Sequence, residues 1–130
     1  IVGWPVSDPV ARFVYAEQHR LTDLIDAHKQ YWKPLSLMGN GNPKKILETG
    51  AFTSLPSLLL IQGKADENFD YRMNEAFVDA YRRVGGSADL VLYDDEPHAF
   101  MQGTRGQQHL KTRYAGVVRL SITKGRNAII

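Results

Sequence analysis

Asp66 and His98 are the two residues of this chain whose types and surroundings could do chemistry together. A carboxylate bonded to one imidazole nitrogen fixes the tautomer and stabilises the imidazolium. The other nitrogen can then take a proton from a hydroxyl nucleophile and return it to a leaving group. Each residue lies in a polar loop that follows a short run of strand formers, Asp66 just past Gly63 and His98 just past Tyr93. In an open parallel sheet the loops at the carboxyl ends of the strands converge on one edge, so these two loop tips are expected to meet. Taken alone, an Asp after a strand is ordinarily a turn former or helix cap, and an isolated histidine a surface or core residue. The matching of the two loops is what raises both to candidates. Glu67, Asp94 and Asp95 are rival acids, more simply read as solvated loop charges.

The elements that must position the pair are the clearest in the chain. Leu58-Leu59-Leu60-Ile61, bounded by Pro56 and Gly63, is a continuous apolar run of the kind expected for a strand covered on both faces. Asp70 to Val84 carries Met73, Ala76, Phe77, Ala80, Tyr81 and Val84 as one apolar stripe at helical spacing, with Gly85-Gly86 as its stop. Asp89 to Tyr93 is a second run of strand formers, ended by the turn Asp94-Asp95-Glu96-Pro97. Strand, helix and strand in this order make the parallel crossover unit of α/β folds.

Upstream, Ile1 to Trp4 reads as the end of a buried strand already under way. With no initiating Met, this sets the expectation that the chain begins inside a longer one. Pro5, Asp8 and Pro9 then make a turn, and Val10, Phe13, Val14 and Ala16 suggest a helix with Pro9 in its first turn. Leu21, Leu24, Ile25, His28 and Trp32 recur at threes and fours, a helix closed by Pro34. Met38 to Pro43 is a cluster of turn formers, followed by one or two helical turns before Gly50. Past Phe100 the pattern fades: Gln107 to Tyr114 suits a terminal helix, and Val117 to Thr123 a strand or a mobile end.

Other arrangements carry less. Ser7 precedes Asp66 and His98 but has no flanking glycines for a strained nucleophile turn, and reads as a turn serine. His19 and Asp23 have the i, i+4 spacing that metal ligands use, yet two ligands do not make a site, and a solvated helix face is the simpler reading. Gly39-Asn40-Gly41-Asn42 lacks the strand and the lysine-hydroxyl pair of a phosphate loop. Trp4, Tyr31 and Trp32 read as core aromatics before pocket lining.

Composition narrows the classes. At 130 residues, with 43% hydrophobic and 23% charged, the chain suits one globular domain rather than a disordered segment. A net charge of +2, with both signs interspersed, leaves no footprint for nucleic acid. Cysteine is absent, which removes disulfides and thiolate chemistry and is compatible with a cytoplasmic location. No apolar run approaches the roughly 20 residues that span a bilayer. No cofactor motif stands out, and none is expected.

The two loops resemble those of the α/β-hydrolase superfamily. Leu55-Pro56-Ser57-Leu58-Leu59-Leu60-Ile61-Gln62-Gly63-Lys64-Ala65-Asp66-Glu67-Asn68-Phe69 is similar to the family's penultimate strand and acid loop. Leu92-Tyr93-Asp94-Asp95-Glu96-Pro97-His98-Ala99-Phe100 is similar to its final strand and histidine loop, and Ala76 to Gly86 to the helix between them. Trp4-Pro5-Val6-Ser7-Asp8-Pro9 and Asn42-Pro43 resemble the segment before the acid strand in the acetyl-esterase and lipase branch. The resemblance implies an α/β fold, the C-terminal part of a hydrolase sheet over residues 1–113, with 114–130 a tail that has no family likeness. It implies Asp66 and His98 as acid and histidine of a catalytic triad, in a carboxylic ester hydrolase acting on a small-molecule ester.

Two departures stand beside it. The family's nucleophile sits in a Gly-x-Ser-x-Gly turn, which this sequence does not contain, and Pro97 stands where many relatives carry glycine. The nucleophile-bearing half is therefore expected to lie elsewhere, and the chain alone to be inactive. A serine peptidase of the prolyl-oligopeptidase type has a similar closing unit and is the alternative enzyme reading. A non-catalytic interaction module, pairing through an open sheet edge with itself or with the missing half, is the alternative of another class.

Overall fold

The computed structural model describes residues 7–104 and 106–108. The first helix, α1 (Pro9–Gln18), starts where Asp8 accepts a hydrogen bond from the Ala11 amide at 3.0 Å, with Pro9 in its first turn. Its buried face is Pro9, Arg12 and Ala16, while Val10 and Val14 are 41% and 44% exposed. The apolar pattern thus gives the helix but not its orientation, because the side chain turned inward is a charged one, Arg12.

Helix α2 (Thr22–Tyr31) packs on α1 and buries His28. His28 Nδ1 donates to the Leu24 carbonyl at 2.7 Å, and its ring lies 5.7 Å from that of Phe13. Burial lowers the His28 pKa, opposed by the Leu24 bond and reinforced by the charge of Arg12. The folded state therefore resists protonation, and the unfolded chain binds the proton more readily. His28 contributes full stability above the ordinary histidine value of 6.5, and that contribution is lost as pH falls below it. Urea unfolding at pH 7 and pH 5 is expected to show a smaller drop on acidification for His28→Gln than for the native chain.

Two short helices follow, α3 (Leu37–Asn40) and α4 (Pro43–Thr49). The turn formers from Met38 to Pro43 thus form α3 and the cap of α4. The Asn42 side chain accepts from the amides of Lys44 and Lys45, and Gly50 closes α4 at φ 70°. Tyr31 is exposed, and Trp32 lies over Gly41, so neither joins the core cluster.

The crossover unit forms as its pattern requires. Strand β1 (Leu58–Gly63) runs into α5 (Tyr71–Arg83) and then β2 (Ala88–Tyr93). The strands are parallel, in register from Leu58 opposite Ala88 to Gly63 opposite Tyr93. Phe77, Val78, Ala80 and Tyr81 of α5 form the core with Leu47 and Ala88, against which Leu58, Leu60 and Leu90 pack. Each large apolar side chain fully buried there contributes about 1.5–3 kcal/mol. Within the stripe read from sequence, Ala76 and Val84 are exposed and Val78 is buried instead. Arg82 ties the end of α5 back to the sheet, its Nε donating to the Ala88 carbonyl at 2.9 Å.

The chain is therefore α/β, with a two-stranded parallel sheet among the described residues. One expectation is corrected: Leu58 to Ile61 are only half-buried, because α5 covers one face of the sheet and no described helix of comparable contact covers the other. Beyond β2 a single 3₁₀ turn, α6 (Phe100–Gln102), leads into helical backbone at 104 and 106–108. The expectations for Ile1 to Trp4, for most of Gln107 to Tyr114 and for the tail from 114 lie outside the described residues. No described helix is long and apolar enough to cross a membrane.

Candidate active site

The site is built where β1 and β2 end. Gly63 closes β1 directly beneath the histidine loop, and a Cβ there would overlap the Glu96 carbonyl. Only glycine permits that approach, and it lets the two loops zip together. The Lys64 amide donates to the Tyr93 carbonyl at 2.8 Å and the Ala65 amide to the Glu96 carbonyl at 3.2 Å. Outside this seam Lys64 Nζ lies 2.6 Å from Asp94 Oδ1, which raises the lysine pKa by hydrogen bond and charge. The bridge lies at the surface, with the Asp94 side chain 78% exposed, so it adds little stability.

Beyond the seam, the acid loop turns around its own aspartate. Asp66 Oδ1 accepts from the amides of Asn68 at 2.8 Å and Phe69 at 3.0 Å. This is the turn-forming role that any Asp after a strand can take. Both oxygens also face the histidine. His98 Nδ1 lies 3.0 Å from Asp66 Oδ2 and 3.1 Å from Oδ1, and since a carboxylate only accepts, Nδ1 carries the proton and donates. The Asp66 side chain is 8% exposed and that of His98 is 47% exposed, so the acid is enclosed while the imidazole faces outward.

The histidine loop is pinned at both ends. The Tyr93 and Phe100 rings meet at 5.4 Å, and Phe100 is buried. Ala99, immediately after His98, sits at φ 56°, a left-handed conformation that costs a residue with a Cβ about 1–2 kcal/mol. Such strain persists only where the surroundings over-determine it. Nothing in an Ala-Phe dipeptide announces it.

The structure brings Asp66 and His98 together, and much of what holds them is not visible in the sequence. Glu96 belongs by sequence to an acidic turn, yet it is buried against Gly63. Gln62, in the apolar strand, is buried, its Nε2 donating to the Phe69 carbonyl at 2.6 Å and its Oε1 accepting from Asn74 at 2.7 Å. A polar residue interrupting an apolar run is the signal that could have flagged it. Ser7 Oγ donates to Asn74 Oδ1 at 2.8 Å, a structural bond, consistent with its reading as a turn serine. His19 is the residue that caps the end of α1 and Asp23 lies in the first turn of α2, so their spacing is not one helix face, and no group of three metal-binding side chains occurs among the described residues. His19 instead stacks on Tyr15 at 4.0 Å.

An enclosed carboxylate that orients an outward-facing imidazole can do general acid–base work on a hydroxyl or on water. Comparison with known proteins adds one finding: residues 5–120 match the model of the prolyl oligopeptidase family. No curated protein and no solved structure matches the chain.

Proposed function

The chain belongs to the prolyl oligopeptidase family, within the α/β-hydrolase superfamily, and from that membership we propose that it supplies the acid and general base of a serine peptidase site. The observation that carries this reading is the Asp66–His98 hydrogen bond, with the acid enclosed and the base exposed. His98 Nε2 takes the proton from a serine hydroxyl as its oxygen attacks the peptide carbonyl. Asp66 holds the imidazole in the Nδ1–H tautomer and stabilises the imidazolium, which then protonates the leaving amine.

The nucleophile is contributed by another segment, since these 130 residues contain no Gly-x-Ser-x-Gly turn and Ser7 is engaged with Asn74. The edge of β1 away from β2 carries no strand among the described residues, which supports pairing with a further piece of sheet there. Ester hydrolysis would use the same acid and base, but the family match favours the peptidase alternative over the carboxylic ester reading suggested by the loop resemblance.

The test is to graft residues 5–120 onto a prolyl oligopeptidase-family catalytic domain in place of its own acid and histidine portion. Hydrolysis of a peptide anilide that disappears in His98→Ala is expected. Turnover of a short-chain ester without the anilide would overturn the peptidase reading. The chain alone is expected to turn over neither substrate, and labelling of one of its own serines by a phosphonate inhibitor would contradict a nucleophile from elsewhere.

A further inference from the structure

Helix α1 lies across the acid loop, and its buried face is not apolar. Arg12 is 7% exposed, with Nε donating to the Asn68 carbonyl at 3.3 Å and Cζ 5.8 Å from the centre of the Phe69 ring. One helical turn on, the Tyr15 hydroxyl donates to the Glu67 carbonyl at 3.3 Å. Gln62 holds the Phe69 carbonyl, so the carbonyls of Glu67, Asn68 and Phe69 are each gripped by a side chain from outside the loop. On the other side of the same peptides, the Asn68 and Phe69 amides hold Asp66 Oδ1. The carbonyl grips set the tilt of the peptide planes, and the tilted amides fix Oδ1 and with it the plane of the carboxylate, both of whose oxygens face His98 Nδ1, Oδ2 at 3.0 Å and Oδ1 at 3.1 Å.

We propose that Arg12 and Tyr15 are positioning residues, which act through the Glu67–Asn68–Phe69 backbone to aim the Asp66 carboxylate at His98. The inference rests on Asp66 and His98 working as an acid–base pair and assigns a task to a helix outside both loops. A charge is costly to bury, and burial lowers the Arg12 pKa while the nearby Asp66 carboxylate raises it, so the guanidinium is held where it faces the acid. The Tyr15 hydroxyl keeps its proton, since burial and the negative charges of Asp70, Asp66 and Glu67 all push its pKa up. Both groups therefore remain donors. An Ala or Leu at position 12 would bury as well and would leave the Asn68 carbonyl ungripped.

The readout is the tautomer of His98 in the intact chain, taken from its imidazole 15N shifts at a pH where the ring is neutral. The native chain is expected to be dominated by the Nδ1–H form. Tyr15→Phe removes one donor and is expected to lower the ratio of Nδ1–H to Nε2–H about threefold, and Arg12→Met about tenfold. Arg12→Lys keeps a cation and a donor and recovers most of the ratio. Tyr81→Phe, which removes the hydroxyl bond to the Pro56 carbonyl far from the loop, destabilises the fold and leaves the ratio alone.

Asp66→Asn separates the two levels of the argument. If it collapses the ratio while folded Tyr15→Phe and Arg12→Met do not move it, the positioning role is overturned and the acid–base pair stands. If Asp66→Asn leaves the ratio unchanged, the pair itself is overturned. Should Arg12→Met fail to fold, Tyr15→Phe carries the test, and a shift as large in Tyr81→Phe would show general loosening and overturn the proposal.

Discussion

Gly63→Ala should destabilise the chain by about 1–3 kcal/mol and pull His98 away from Asp66. The added Cβ would overlap the carbonyl of Glu96, a backbone atom that cannot rotate aside as a flexible side chain can. Relief requires the histidine loop to lift. Lifting breaks the Ala65–Glu96 hydrogen bond and drags at the adjacent Lys64–Tyr93 bond, the two that zip the loops together. The loop cannot yield cheaply, since Tyr93 and Phe100 anchor its ends. Gly50→Ala is the natural comparison. It also replaces a glycine, at φ 70°, but into open space, so its cost is limited to about 1 kcal/mol of left-handed strain. Urea unfolding of both variants, with the His98 tautomer as local reporter, distinguishes a buried backbone collision from a general intolerance of alanine.

Asp66→Asn, introduced into the grafted catalytic domain, should lower kcat about 10⁴-fold with little loss of stability. Both parts of that expectation come from what the two carboxylate oxygens hold: Oδ1 takes the loop amides, and His98 Nδ1 is shared between Oδ2 at 3.0 Å and Oδ1 at 3.1 Å. Oδ1 accepts the Asn68 and Phe69 amides, and an asparagine can keep its own Oδ1 in that place, so the turn survives. The amide nitrogen then falls where Oδ2 faces His98. A donor there, with Oδ1 already accepting two amides, favours Nδ1 as an acceptor, which moves the imidazole proton to Nε2, the atom that must be unprotonated to act as base. The loss is thus one of tautomer rather than of fold. An Asp66→Asn variant that unfolded in proportion to its lost activity would count against this explanation, and one that kept full activity would remove Asp66 from the mechanism.

The crossover unit was legible because its periodicities are local. Four apolar residues from Leu58, a stripe around Phe77 and Tyr81, and strand formers up to Tyr93 need no knowledge of the rest of the chain. Asp66 and His98 were legible for a related reason: parallel strands force their following loops to one edge, so two local readings together imply a distant contact. What was not legible depends on long-range hydrogen bonds. Arg12 looks like any solvent-facing helix residue until the Asn68 carbonyl is seen beside it, and its inward turn is what leaves Val10 and Val14 outside. Glu96, within an acidic turn, gives no sign that its backbone rests on Gly63. His28 falls in an apolar stripe by its spacing, and its burial against Phe13 agrees with that, because a neutral imidazole with its Nδ1 bonded to Leu24 packs as a ring. The half-buried strand residues differ from the expectation because an apolar run records what a strand can tolerate, not how many helices cover it.

The claim that Asp66 and His98 act as one unit is tested most directly by a double-mutant cycle on peptide hydrolysis in the grafted domain, measuring kcat for Asp66→Asn, His98→Ala and the two together. Residues that serve a single proton transfer are strongly non-additive, so the double variant is predicted to be no slower than His98→Ala alone. Losses that simply multiply, or a His98→Ala variant as fast as the unaltered graft, would contradict an acid–base pair at the ends of β1 and β2.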